Sequence, residues 1–220
     1  MRNKLYKLRF ELFFLSLLSI LFSSLVIPSQ FYVDQALPVL FMLNVLMGLV
    51  IFMYNKEHSW VTIGLLILVL GVYILRLLIA DTKALDYIRF TAYFIFYVII
   101  TLEVIKQVWK SKNVDKSVIF GLMSGYICLG LLAFFAFMSI EMANPNSFNG
   151  LSQGATFGQK ANDLLYYSYV TLMTIGYGDI TPSTGTSQKA SILFAMIGQF
   201  YLVIITAVVI EKYIRHQKDK

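Results

Sequence analysis

Long apolar blocks alternate with short polar breaks along this chain. The blocks predict helices over residues 12–27, 36–54, 60–80, 87–109, 117–141 and 189–213. Each comes near the roughly 20 residues an α-helix needs to cross the hydrocarbon core of a bilayer. The link at 110–116 is polar and charged, and it divides the chain into a segment 1–110 and a segment 111–220. Residues 142–161 break the pattern again with Asn, Gly, Ser, Gln and Pro. Asn162 and Asp163 then offer an N-cap for a helix ending near Met173. At roughly 12 residues that helix is too short to span, so it reads as re-entrant. The expected fold is an all-α membrane protein with six transmembrane helices, a short re-entrant helix and a loop after it.

Polar residues inside the blocks are few. Asn44 lies in the middle of the second, where an amide needs an interhelical hydrogen bond. Arg76 is expected to pair with Asp81 or Asp86, and Glu103 with Lys106 three residues on. Gly121 and Gly125 form a small-xxx-small pair in the fifth block.

Composition agrees with a membrane protein: 58% of the 220 residues are hydrophobic, 14% are charged, and mean hydropathy is +0.72. A single cysteine, Cys128, excludes an internal disulfide. The charged start and apolar run of residues 1–27 look like a signal peptide, but no small-residue cleavage site follows and Pro28 ends the run, so it is expected to stay as a first span. The net charge of +6 forms no basic face for nucleic acid. It follows topology instead. With the N-terminus inside, Arg2, Lys4, Lys7, Arg9, Lys56, Lys106, Lys110, Lys112, Lys116, Lys212, Arg215, Lys218 and Lys220 are cytoplasmic. Only Arg76, Lys83, Arg89, Lys160 and Lys189 then face out. Both termini are thus expected in the cytoplasm, with the protein in the plasma membrane and lipid its surroundings.

Thr174-Ile175-Gly176-Tyr177-Gly178-Asp179 carries the candidate chemistry. Glycine reaches φ > 0 without steric cost, and alternating it with other residues lets successive carbonyls point one way. Carbonyls so aligned replace the water shell of a cation. Gly176 to Asp179 also reads as G-x-G-D, the signature of intramembrane aspartyl proteases. That chemistry needs a second aspartate inside the membrane, and Asp34, Asp81, Asp86, Asp115, Asp163 and Asp219 all fall in loops or at span ends. His58 and His216 lack ligand spacing, and there is no nucleophile motif or phosphate loop. A transporter would show paired broken helices, and only one is broken here. No enzyme or cofactor is expected.

Those six residues closely resemble the signature of the potassium channel family, with Ile175 where valine is commoner. The resemblance covers about 117–213 and is most specific at 166–182. It implies a selectivity filter in which carbonyls of Thr174, Ile175, Gly176 and Tyr177, with Gly178 and the Thr174 hydroxyl, bind K+. It implies an aromatic cuff at Tyr166 and Tyr167, where relatives often carry tryptophans, with Tyr166 bonded to Asp179. Residues 197–202 resemble the inner helix of bacterial members, and Gly198 falls at their hinge, where a glycine serves bending or close packing. One filter per chain implies a homotetramer. Four spans ahead of a pore resemble a voltage-sensor domain, yet between Arg89 and Lys106 the only charge is Glu103. Weak voltage gating is expected, and the seven residues after Tyr213 leave no room for a large cytosolic sensor within this chain. The alternative within the class is a weakly selective cation channel.

Overall fold

The computed structural model describes residues 6–26, 36–52, 60, 63, 64, 67, 70, 71, 74, 83–111, 115–152 and 156–218. Its elements in order are α1 (Arg9–Phe22) with a 3-10 turn Ser23–Leu25, α2 (Leu37–Ile51), α3 (Lys83–Lys110), α4 (Lys116–Ala143), β1 (Phe148–Asn149), α5 (Phe157–Leu172), β2 (Thr181–Pro182) and α6 (Gly185–Lys218). The expected third span, 60–80, falls largely outside the described residues, and so does the pairing of Arg76 with Asp81 or Asp86. Among the described residues three helical stretches are long and apolar enough to cross a membrane: Phe90–Lys110, Lys116–Ala143 and Gly185–Ile205. The first two expected spans are described as shorter helices, with 14 residues in α1 and 15 in α2. The chain divides into two compact units, Met1–Ser111 with Asp115–Ser124, and Gly125–Lys220 with the short link.

In the first unit the core is aromatic. Phe10, Phe13, Leu17 and Ile20 of α1, Phe41 and Val45 of α2, and Phe96, Tyr97 and Ile100 of α3 are buried. Tyr97 meets Phe41 edge-on at 6.0 Å and Phe96 at 5.1 Å. A polar seam runs through this core. Asn44 is fully buried, donates to Ser16 Oγ at 2.8 Å and accepts from the Tyr97 hydroxyl at 2.8 Å. One amide thus joins three helices, the partner its depth demands. Nearer the polar link, Gln107 donates to Glu103 at 2.8 Å and to the Ile51 carbonyl at 3.0 Å, while Arg9 donates to Gln107 at 3.1 Å. The first turns of α4 belong here. Asp115 caps the helix by accepting from the Val118 amide at 2.9 Å, Phe14 meets Phe120 at 5.4 Å, and Ser117 donates to Glu11 at 3.2 Å.

In the second unit α5 and α6 pack together, with the rest of α4 completing the core through Phe134, Phe135, Phe137 and Met138. The helix α5 begins five residues before the expected Asn162 cap. Thr156 is its N-cap in a full capping box, accepting from the Gln159 amide while the Gln159 side chain accepts from the Thr156 amide. That reciprocal pair satisfies two amide donors at once and outcompetes a cap at 162 or 163. Asp163 serves the preceding loop instead, accepting from the Ser152 amide at 3.0 Å and hydroxyl at 2.9 Å. The last block, expected from residue 189, is helical already from Gly185, where Thr184 and Ser187 cap each other reciprocally. The Gly121–Gly125 pair makes room for side chains: a Cβ at Gly121 would lie 2.8 Å from Val108, and one at Gly125 would overlap the Tyr201 hydroxyl.

Replacing Asn44 with leucine removes both bonds, although Ser16 keeps its own bond to the Phe13 carbonyl at 2.7 Å. Loss of about 1 to 2 kcal/mol is expected, read as a lower midpoint of thermal unfolding in detergent. Leucine at Ser16, which leaves the Tyr97–Asn44 bond intact, should cost less.

Candidate functional site

The site begins where α5 ends. Helix C-termini leave carbonyls without intrahelical partners, and here the chain folds back to use them. Met173 donates to Tyr169 O at 2.9 Å, Thr174 to Thr171 O at 3.0 Å, and Ile175 and Gly176 both to Val170 O at 2.9 and 3.4 Å. Each amide in a trans peptide points opposite to the carbonyl of the residue before it. With the amides of Ile175 and Gly176 turned toward α5, the carbonyls of Thr174 and Ile175 face the other way. Backbone handedness then alternates: φ is +56° at Thr174, +62° at Gly176 and +83° at Gly178. The two glycines behave as the motif predicts. Thr174 does not, because a β-branched residue at positive φ is strained. Nothing in its residue type announces that conformation.

The aromatic residues of α5 pack beside the loop. Tyr167 packs against Phe137 at 5.1 Å and Phe148 at 5.3 Å, and its buried hydroxyl shares a 2.8 Å hydrogen bond with Ser191 of α6. A stiff ring with a satisfied polar tip suits this place. Tyr169 donates to the Ile127 carbonyl at 2.7 Å, its ring lying over Gly130. Tyr166 donates to Asp179 Oδ2 at 2.8 Å. This bond, chiefly, lowers the Asp179 carboxyl below the ordinary aspartate range; backbone amides of Ile180 and Asp179 add to it, and partial desolvation opposes it. The same bond raises the Tyr166 hydroxyl. Tyr177 is largely exposed on the isolated chain, as is half of Ile175.

Asp179 is held from a second side. Gly150 has φ +86°, and a Cβ there would overlap the Asp179 carbonyl, so only glycine fits. Beside it β1 pairs antiparallel with β2, Asn149 opposite Thr181 and Phe148 opposite Pro182. Glu141, almost fully buried at the end of α4, anchors this turn: it accepts from the amides of Asn146 at 3.1 Å and Ser147 at 2.9 Å and pairs with Lys160 at 3.0 Å. Ser183 and Ser187 in turn donate to Asn146 O at 2.6 Å and Ser147 O at 2.8 Å. Sequence reasoning missed this clamp, although an acid closing a long apolar helix was a signal for it.

Gly198 lies within unbroken α6, and a Cβ there would stand 2.5 Å from the Leu172 carbonyl and 2.9 Å from its side chain. Close approach to the end of α5 therefore gives this glycine a packing role. Next to it Gln199 donates to the Thr174 hydroxyl at 3.1 Å, a contact that residue types alone did not reveal. Among the described residues no cluster of His, Cys, Asp and Glu could hold a metal ion.

Residues 126–215 match the family model described as "Ion channel". Over 78 residues the chain is 42% identical to "Two pore potassium channel c" of Oryza sativa subsp. japonica, a match covering 35% of this chain and 16% of that protein. It is 31% identical over 100 residues to "Two-pore potassium channel 5" of Arabidopsis thaliana, covering 46% and 21%, and 24% identical over 113 residues to "Two pore potassium channel a" of the same rice, covering 51% and 29%. The chain thus spans less than a third of the length of each of these relatives. Residues 126–215 are thus similar to ion channels, and the described apolar helices are long enough for a membrane protein.

Because Asp179 is held ionised, the stabilisation it gives is complete at ordinary aspartate pKa values and above. It is lost only as pH falls through the lowered value. Carbon NMR titration of Asp179 should find a midpoint below 3.8, the ordinary aspartate value, and Tyr166→Phe should move it upward. Alanine at Gly198 should lower the unfolding midpoint by a shift worth about 1 to 3 kcal/mol, the usual cost of overpacking.

Proposed function

We propose that this chain forms a potassium-selective channel in which K+ passes down its gradient through a ring of four copies. The observation that carries the reading is the alternating backbone of Thr174, Gly176 and Gly178, with its amides turned onto Val170. It leaves a row of carbonyl oxygens free to replace a cation's water. Thr174, Ile175, Gly176, Tyr177 and Gly178 would line the filter, with Tyr166, Tyr167 and Asp179 supporting it; Gly198, expected as a hinge or a packing glycine, would act by seating α6 against the end of α5. A single strand coordinates a cation from one side, which is why four copies are invoked. Exposed Ile192, Leu193, Met196, Phe200 and Val203 on α6 supply apolar surface on which copies would meet. That the relatives are potassium channels by name favours K+ over a weakly selective pore.

The full reading has six spans per chain, both termini cytoplasmic and residence in the plasma membrane. The first four spans would brace the pore instead of sensing voltage. Moving one charge across the membrane is worth about 2.3 kcal/mol per 100 mV. The helix α3 offers Glu103 alone between Arg89 and Lys106, and its partner Gln107 ties it down.

In planar bilayers the reversal potential in mixed K+ and Na+ should follow the K+ gradient; a reversal near zero would rule out selectivity. Gly176→Ala should degrade selective conduction although space around a Cβ is open, because φ of +62° is the obstacle. Native mass measurement should find four 25.1 kDa chains, and a dimer as the largest conducting species would contradict the ring. Conductance should vary shallowly with voltage, equivalent to fewer than about four charges per channel.

A further inference from the structure

We propose that Gln199 is a positioning residue for the innermost cation site, its amide setting how the Thr174 hydroxyl is presented to the ion. The inference rests on the channel reading and deepens it.

Three observations meet at this point. Gln199 Nε2 lies 3.1 Å from Thr174 Oγ1. Thr174 is the one non-glycine residue of the filter at positive φ, a conformation that surrounding contacts must hold. Gly198 seats α6 directly against the Leu172 carbonyl, two residues before Thr174, so the neighbouring glutamine reaches the filter base from a fixed distance. Tyr201, two residues beyond Gln199, fills the space over Gly125 and meets the Tyr126 ring at 5.8 Å, fixing the same stretch of α6 from another side.

The chemistry follows from the hydroxyl. Its oxygen has two lone pairs and one rotatable proton. An amide proton from Gln199 occupies one lone pair and fixes the direction of the other, which is then available to a cation. Without that donor the hydroxyl is free to turn its proton toward the ion. A carboxylate at position 199 would reverse the bond, taking the hydroxyl proton and adding charge beside the site.

The probe is Ba2+, a divalent cation of nearly the radius of K+, applied from the inner side of the purified full-length channel in planar bilayers. Calorimetric Ba2+ binding serves for any variant that does not conduct. Gln199→Met, similar in length but lacking the donor, should weaken Ba2+ binding about fivefold, within the range of one hydrogen bond. The same factor should appear in a Thr174→Ser background, which keeps the hydroxyl, and vanish in Thr174→Val, which does not. Gln199→Glu should tighten binding. An undiminished factor in the Thr174→Val background, or none in the native one, overturns the assignment. A native protein without K+-selective current overturns the channel reading itself; selective current without coupling between positions 199 and 174 removes only the role of Gln199.

Discussion

A peptide that turns its carbonyl toward an ion must still satisfy its amide elsewhere, and away from water that requirement is severe. At residues 174–176 one acceptor does most of this work. The Val170 carbonyl, near the C-terminal end of α5, takes the amides of both Ile175 and Gly176. The rest of the second unit can be derived from keeping that carbonyl and that loop in register. The capping box at Thr156 fixes where α5 starts, and the aromatic packing of Tyr167 and the long reach of Tyr169 fix its rotation. Beyond the loop, Gly150, the β1–β2 pairing and the Glu141 clamp hold Asp179 from outside.

The two ends of this loop are therefore secured by different chemistry. The outer end rests on charge: Asp179 with Tyr166, and Glu141 with Lys160 and two backbone amides. Removing the Glu141 carboxylate would take the acceptor from the Asn146 and Ser147 amides, which costs more than the bonds contribute when intact. The inner end rests on packing and one amide, Gly198 against Leu172 and Gln199 on Thr174. The strain at Thr174 sits between them.

How much of this was legible in the sequence depends on the kind of signal. Gly176 and Gly178 were readable because only glycine takes positive φ freely, and the Tyr166–Asp179 bond followed from the resemblance of the surrounding residues. Asn44 was readable because a buried amide must find partners, though Ser16 and Tyr97 are far away in sequence and could not be named. The start of α5 was misplaced even though Thr156 and Gln159 have capping-box spacing; the polar run before Asn162 obscured it. The Glu141 clamp and the Gln199 contact depend on three-dimensional proximity between residues that carry no motif. Thr174 at positive φ is imposed by tertiary structure against its own preference.

The most direct measurement of whether this backbone is an ion site is anomalous diffraction from crystals grown in Rb+, which has nearly the size of K+. Rb+ peaks should lie in single file on a fourfold axis, each surrounded by carbonyls of Thr174, Ile175, Gly176 and Tyr177 from four chains. Rb+ absent from that line, or those carbonyls facing away from any shared axis, would contradict it.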